Sequence, residues 1–250
     1  MFATILISCT LRAQGPGSPS APMAQPKNLK ILKTDDPLMD TMRDFNEALG
    51  VQCLYCHVQG DFASDENPKK ETARHMIALV RQAEKFFPST NGVFPLGYHE
   101  VDCITCHRGS IKPETKSPKH FLNRGGARAQ TAPSGPAPAR APATNLKVLA
   151  ATTAIHGSGS IMEEFRDALQ VDCAYCHSGG GTGFARDDNP RKDTARRMIL
   201  MTREINAEFP ATGVYPEAPQ AVTCYTCHRL DVHPISLSNK NYPPSASPVK

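Results

Sequence analysis

The sequence predicts a mostly α-helical protein with little regular β structure, built from two tandem copies of one unit. Apolar residues recur at helical spacing in several segments, and no segment alternates in the manner of a strand. The same residues also return in the same order in the second half of the chain. Between the copies lies a stretch made almost entirely of Ala, Pro, Gly, Ser and Arg. Such a composition cannot bury a core, so we expect a linker there.

The internal repeat sets the predicted organisation of the chain. Residues 28–32 (Asn-Leu-Lys-Ile-Leu) return as Asn-Leu-Lys-Val-Leu at 145–149, and Thr-Ala-Arg at 72–74 returns at 194–196. We therefore expect a signal-like or lipoprotein-like segment with a flexible tether at 1–27, a first repeat at 28–122, a linker at 123–144, a second repeat at 145–233 and a flexible tail at 234–250.

Four longer helices are predicted from spacing and capping residues. In the first, apolar residues follow an i, i+4, i+7, i+11 pattern, namely Leu38, Met42, Phe45 and Leu49. The pattern predicts a helix over 37–49, with a counterpart over 160–169. Asn-Pro at 67–68 and at 189–190 provides N-cap and first-position signals for two more helices. We expect these to end near Phe86 and Glu208, where Phe-Pro follows.

Four motifs of the form C-x-x-C-H carry the chemistry of the chain, at 53–57, 103–107, 173–177 and 224–228. Two thiols at this spacing can add to the two vinyl groups of a haem, and the adjacent imidazole can then bind the iron. The predicted tethers are Cys53, Cys56, Cys103, Cys106, Cys173, Cys176, Cys224 and Cys227. The predicted proximal iron ligands are His57, His107, His177 and His228.

A redox dithiol or a zinc site could account for one such motif. Paired zinc motifs, however, usually lie within about 15–20 residues of each other. Here the separations within the two halves are 50 and 51 residues, and every copy ends in histidine. We therefore predict four covalently attached haem c groups. With apolar content of 40% and no Trp, we also expect the haems to supply much of the core and the apoprotein not to fold.

The sixth iron ligands are predicted from methionines that recur in register. Met42 precedes His57 by 15 residues, and Met162 precedes His177 by the same 15. Met76 precedes His107 by 31 residues, and Met198 precedes His228 by 30. Methionines on an apolar helix face are ordinary core in most helices, but their recurrence upstream of each motif favours ligation. The unrepeated histidines are expected at the surface, with His99 as the substitute ligand if one haem has two histidines.

Haem attachment also predicts where the protein works. Covalent attachment takes place outside the bacterial cytoplasm, so we expect an exported, periplasmic protein. Residues 2–11 form an apolar run like that of a signal peptide, and Leu-Ile-Ser-Cys at 6–9 resembles a lipoprotein cleavage site that would make Cys9 a lipid anchor. An ordinary signal-peptide cysteine is the alternative. The formal charge of +4 is offset by haem propionates, and no basic cluster indicates a nucleic-acid partner.

At this point the sequence resembles the tetrahaem cytochrome c subunit of photosynthetic reaction centres, or non-photosynthetic relatives of it. The residues that carry the resemblance are Phe-Ala-Ser-Asp at 62–65, Phe-Ala-Arg-Asp at 184–187, Thr-Cys-His-Arg-Gly at 105–109 and Val-Thr-Cys-Tyr-Thr-Cys-His-Arg at 222–229. The resemblance implies a mostly helical fold, a linear haem array and methionine ligands from preceding helices. Where photosynthetic members carry an extra haem-ligating histidine, this chain has Pro95 and Pro216.

We therefore predict an electron-transfer cytochrome rather than an enzyme. Its partners would be redox proteins, and by resemblance a membrane-bound electron-transfer complex or reaction centre. Two alternatives stay open. One is a multihaem reductase with at least one open haem site, which a methionine candidate for every haem argues against. The other is an assembly subunit in which the haems mainly supply core.

Overall fold

The computed structural model describes residues 25–87, 101–117, 143–157, 159–208 and 221–236. Within these ranges the α-helices are α1 (Leu38–Leu49), α2 (Lys69–Glu84), α3 (Cys103–His107), α4 (Ile161–Leu169), α5 (Arg191–Glu208) and α6 (Cys224–His228). Short 3-10 helices occupy Cys53–Tyr55, Cys173–Tyr175 and Gly181–Ala185. The described ranges contain no strand, and one isolated bridge pairs Val58 with Asp61. The mostly helical prediction is confirmed for this part of the chain.

The long helices begin where their capping residues place them. The Ser160 hydroxyl accepts a hydrogen bond from the Glu163 N–H at the start of α4, as an N-cap does. The Asn67 side-chain oxygen accepts from the Lys69 N–H at 3.1 Å, just before α2. Helix α2 ends at Glu84 rather than at Phe86. Its last turn tightens, because the Phe86 N–H reaches back only to the Ala83 carbonyl.

Several predicted segments lie outside the described residues. They include all but the last part of the 1–27 segment with Cys9, most of the 123–144 linker, and the tail from 237 onward. His99, Pro95 and Pro216 also lie there. Among the helices that are described, none combines the length and apolar character that crossing a bilayer requires.

The two halves pack against each other through equivalent elements. Helix α1 packs on α3, and its counterpart α4 packs on α6. Between the halves, α3 contacts α6 and α2 contacts α5. The second and fourth C-x-x-C-H motifs, which form α3 and α6, are therefore in direct contact; they are termed the inner motifs. The first and third motifs, termed the outer motifs, follow α1 and α4 in the chain.

An apolar cluster and a set of hydrogen bonds hold the halves together. Buried Ala83 of α2 packs with Met201 and Ile205 of α5, and the partly buried residues around them are Leu79, Phe86, Phe87, Val101, Met198 and Val222. Across the motif helices, the Arg108 guanidinium donates to the Cys227 carbonyl at 2.7 Å. Arg229 pairs with Glu114 at 2.6 Å. Side chains from each half thus bind backbone or carboxylate groups of the other.

The described part of the chain buries few apolar side chains. Its buried hydrophobic residues are Ala48, Ala83, Ala168, Met201, Ile205 and Tyr225, of which three are alanines. Burying an alanine contributes little, because the hydrophobic effect scales with the apolar area removed from water. Larger apolar side chains such as Phe62 and Phe184 are 53% and 43% exposed. These side chains alone therefore make a thin core.

Candidate haem-attachment sites

The second and fourth motifs form single helical turns with matching caps. The Asp102 carboxylate accepts from the Thr105 N–H, while the Asp102 N–H donates to the Thr105 hydroxyl, both at 3.1 Å. In the fourth motif the Thr223 N–H donates to the Thr226 hydroxyl at 3.0 Å. Such reciprocal bonds satisfy donors that a helix start leaves unpaired. Each turn ends at an arginine in the left-handed conformation, so the cysteines and the histidine are held in one compact turn.

The first and third motifs have a different backbone and more exposure. Their first three residues form 3-10 turns, and Cys53 and Cys173 are exposed. The Asn46 amide of α1 donates to the Cys53 sulfur at 3.6 Å, which links α1 to the first motif. At its other contact, the Gly109 N–H donates to the Ala48 carbonyl at 2.8 Å, so α1 also binds the loop after the second motif. One helix therefore connects the two motifs of its half.

All four motif histidines hold their Nδ1 atom in the same way, against a backbone carbonyl oxygen. The partner carbonyls and distances are Phe62 at 2.9 Å for His57, Ser110 at 2.9 Å for His107, Phe184 at 3.0 Å for His177 and Asp231 at 2.8 Å for His228. Because a carbonyl can only accept, each Nδ1 carries the proton, and Nε2 keeps its lone pair. This is the arrangement that orients an imidazole for metal binding.

Burial disfavours the charged form of three of these imidazoles and of several neighbouring thiols. Burial lowers the pKa of His228 to about 4, and it also lowers the pKa of His107 and of His177. A neutral imidazole at neutral pH is the form that binds iron. Burial raises the pKa of Cys103 and of Cys224 to about 11.

The Cys106 and Cys227 sulfur atoms lie 2.8 Å apart, which brings the second and fourth motifs into direct contact.

Two asparagines tie the long helices to the outer motifs. The Asn67 amide donates to the Tyr55 carbonyl at 3.0 Å, and the Asn189 amide donates to the Tyr175 carbonyl at the same distance. Each tyrosine is the third residue of a C-x-x-C-H motif. The Asn-Pro pattern predicted these asparagines as helix caps only. Their second role depends on the fold, although their recurrence in both halves was a signal that could have pointed to it.

The loop after each outer motif is built around one carboxylate. Asp65 pairs with Lys30 at 2.8 Å, Arg74 at 2.7 Å and Lys70 at 3.4 Å. Its counterpart, Asp187, repeats the arrangement with Lys147, Arg196 and Lys192 at 2.7, 2.6 and 3.4 Å. The hydrogen bond from Arg74 and those from Lys30 and Asn28 hold the pKa of Asp65 well below its usual range. Each aspartate thus joins the start of its half to the loop and to the long helix.

This clustering predicts how acid affects the fold. The pKa of Asp65 is lower in the folded than in the unfolded chain, so its stabilisation is complete above the unfolded value of about 3.9. It is lost as pH falls below that value toward the lower folded pKa. We expect Asp65→Asn to lower the denaturant midpoint at pH 7 and to weaken the fall in that midpoint between pH 7 and pH 3.

Asp40→Asn is the matched control for this measurement. It removes an exposed pair to Arg43 at 2.6 Å on the surface of α1, and exposed pairs contribute little. Denaturant unfolding followed by circular dichroism at both pH values makes the comparison. Equal acid sensitivity of the wild type and Asp65→Asn would contradict the role given to this carboxylate.

The four repeated methionines lie on the helices that flank the motifs. Met42 and Met162 lie near the start of α1 and α4, and Met76 and Met198 lie within α2 and α5. All four are half-buried. Met198 also packs against the apolar cluster between the halves. Their ligation of haem iron stays a prediction.

Among the other described histidines, His156 and His233 are exposed, as expected. Nδ1 of His75 donates to the Glu71 carbonyl at 3.1 Å, one turn earlier in α2. The sequence patterns did not point to two further arginines, Arg108 directly after the second motif and Arg166 in α4. Nε of Arg108 and Nε of Arg166 are buried and have no hydrogen-bond partner within the described part of the chain. Buried cationic groups of this kind suit an anionic partner such as a haem propionate.

Comparison with known families gives a match over most of the chain. The model of the photosynthetic reaction centre cytochrome C subunit family matches residues 24–132 and again residues 127–246. The two matches follow one another and together cover both predicted repeats.

Individual relatives agree with the family match. A photosynthetic reaction center cytochrome c subunit of Thermochromatium tepidum is 28% identical over 228 residues, covering 76% of this chain and 55% of the relative. The corresponding subunit of Rubrivivax gelatinosus is 27% identical over 230 residues, covering 76% and 61%. A cytochrome c-554 of Chloroflexus aurantiacus is 43% identical over 67 residues, covering 25% and 15%. The chain thus spans little more than half the length of the first two relatives.

Proposed function

Because the chain belongs to the photosynthetic reaction centre cytochrome c subunit family, we propose that it is a tetrahaem electron-transfer cytochrome. Membership of a cytochrome c family implies covalently bound haem c. The observation that carries the proposal is the shared state of the four motif histidines. Each keeps Nδ1 on a backbone carbonyl and Nε2 available, with cysteines in the adjacent turn. When bound, haem supplies one-electron chemistry that no amino-acid side chain here provides.

In this proposal each residue type has one task. The motif cysteines would tether the haems, the motif histidines would bind the iron, and Met42, Met76, Met162 and Met198 would supply the second iron ligands. Methionine opposite histidine raises the potential and closes the iron to substrates. The buried Nε of Arg108, next to both inner motifs, supports a propionate contact there.

The arrangement of the motifs supports a path for electrons. Cys106 and Cys227 bring the second and fourth motifs together, and α1 contacts both the first and the second motif. Helix α4 precedes the third motif and packs on the fourth through α6. We therefore propose the spatial order first, second, fourth, third, within two dihaem units at 28–122 and 145–233 joined by the 123–144 linker.

We further propose an exported, periplasmic location, with Cys9 as a lipid anchor. The relatives named above are reaction centre subunits, which supports a membrane-bound electron-transfer complex as the partner. The chain contains 28 Lys and Arg and 24 Asp and Glu residues, and haem propionates would add further negative charge, so charges of both signs are available at the surface. Such surfaces steer weak and transient docking.

Replacing each repeated methionine by alanine tests the ligand assignment and the function together. We expect the mature wild-type protein to carry four haems by mass, all low-spin, and to bind carbon monoxide slowly. Each of Met42→Ala, Met76→Ala, Met162→Ala and Met198→Ala is expected to convert one haem to a form that binds carbon monoxide at once. Optical spectra and a redox titration of the intact protein measure this.

Met39→Ala is the matched control, because Met39 lies on α1 but is 55% exposed and has no counterpart in the second half. It is expected to change neither the spectrum nor carbon monoxide binding. An unchanged spectrum for any of the four repeated positions would remove that residue from the ligand set. Rapid carbon monoxide binding by the wild type at most of its haems would instead favour the alternative function, a multihaem reductase with open haem sites.

A further inference from the structure

The carbonyl groups that hold the outer motif histidines also bind a lysine. The Phe62 carbonyl accepts from Nδ1 of His57 at 2.9 Å and from Nζ of Lys70 at 3.1 Å. In the second half the Phe184 carbonyl accepts from Nδ1 of His177 at 3.0 Å and from Nζ of Lys192 at 3.1 Å. A carbonyl oxygen has two lone pairs and can accept both bonds. The same three-group arrangement thus occurs twice in one chain.

Both lysines are held firmly in this position. Their side chains are 11% exposed, although lysine normally extends into water. Lys70 donates to the Ala63 and Ser64 carbonyls as well, at 3.0 and 2.7 Å. Lys192 donates to the Arg186 carbonyl. Since these contacts immobilise a long, flexible side chain, the ammonium group has a fixed place beside the histidine's acceptor.

The charged groups around each lysine do not remove its effect on the carbonyl. Asp65 is 3.4 Å from Lys70 but bonds more closely to Lys30 and Arg74, and Arg74 also pairs with Glu71. Asp187 likewise bonds more closely to Lys147 and Arg196 than to Lys192. The shortest contacts of Lys70 and Lys192 are therefore to backbone oxygens.

We propose that Lys70 and Lys192 raise the reduction potential at the first and third motifs by sharing the acceptor of the iron-binding histidine. The inference rests on the proposed function, in which these histidines bind haem iron. A bond from Nδ1–H to a carbonyl makes an imidazole more electron-rich and favours oxidised iron. An ammonium group on the same oxygen draws electron density away and weakens that bond. Its positive charge also favours the reduced haem, so both effects act in one direction.

The test replaces each lysine by methionine, which keeps most of the side chain's bulk and removes its charge. In redox titrations of the holoprotein, Lys70→Met is expected to lower one of the four potentials and Lys192→Met another. The double variant should lower both. For each affected haem we expect the ratio of oxidised to reduced haem at a fixed applied potential to rise about tenfold. This corresponds to a fall of about 59 mV in the reduction potential of that haem for one electron.

Lys30→Met is the matched control. It removes the same charge from the same aspartate, but Lys30 is 52% exposed and makes its contact with Asp65 rather than with the Phe62 carbonyl. In this variant the reduction potential at the first motif should stay near the wild-type value, because exposed charges are screened. A second readout is the Nδ1–H resonance of His57 in the reduced protein labelled with ¹⁵N-histidine. It should move to lower field in Lys70→Met and stay in place in Lys30→Met.

Three results would overturn the proposal. One is unchanged potentials in both lysine variants while all haems are retained. Another is an equal shift in Lys30→Met, which would make net charge the cause. The third is loss of a haem from both variants, which would make the lysines builders of the loop rather than tuners of the histidine. A wild type without four low-spin haems would instead contradict the proposed function, so the two failures are distinguishable.

Discussion

Replacing Gly50 by alanine is expected to destabilise the first half by about 3 kcal/mol, the combined order of backbone strain and overpacking. Gly50 has φ +66°, and a Cβ atom there would overlap the Gly109 carbonyl oxygen. The backbone of α1 and the backbone after the second motif therefore approach each other too closely for any side chain. We expect a clear fall in the denaturant midpoint of the holoprotein.

Gly60→Ala separates the two contributions to this effect. Gly60 has φ +82°, but nothing lies within 4 Å of a Cβ atom placed there, so only the backbone strain of about 1 kcal/mol applies. In the second half, the position matching Gly50 is Gln170 with φ +55°, which shows that the conformation itself is tolerated. Equal destabilisation by Gly50→Ala and Gly60→Ala would show that the approach of the two backbones does not limit packing.

The second large effect is expected when haem attachment is prevented. The described part of the chain buries few apolar side chains, and three of them are alanines. That burial cannot offset the conformational entropy of ordering the chain, which is about 1–2 kcal/mol per residue. We therefore expect protein made without the attachment machinery to show little helix by circular dichroism, no cooperative thermal transition and rapid proteolysis.

Removing single attachment sites should give graded results. Cys103→Ser with Cys106→Ser alters α3, which packs on both α1 and α6. Cys53→Ser with Cys56→Ser alters the more exposed first motif. The double substitution at Cys103 and Cys106 should lower the thermal midpoint more than the double substitution at Cys53 and Cys56. An apoprotein with the helix content and cooperative melting of the holoprotein would contradict the view that the haems act as core.

Local sequence signals predicted the four longer helices, apart from the end of α2. The spacing of Leu38, Met42, Phe45 and Leu49 predicted α1 to within a residue of its observed start. Asn-Pro marked the beginning of α2 and α5, and α5 ends at Glu208 as predicted. These features depend on residues near one another in the chain, where capping and periodicity act. The resemblance to reaction centre cytochrome c subunits is likewise confirmed by the family match.

Features that depend on backbone atoms could not be predicted in this way. The Phe62 and Ser110 carbonyls hold motif histidines, but any residue supplies a carbonyl, so sequence contains no signal for it. The approach of Gly50 to Gly109 also lacks a repeated signal, because their counterparts are Gln170 and Leu230. Lys70 and Lys192 did carry a signal, since both follow Asn-Pro by the same spacing. Their role still required the loop geometry.

The contact between the halves has the form of an isologous dimer. Each half presents equivalent helices to the other, α2 to α5 and α3 to α6, as two identical subunits do about a twofold axis. Joining such subunits in one chain turns their association into an intramolecular step. Dilution therefore does not separate the second and fourth motifs, and the distance between them does not depend on the protein concentration.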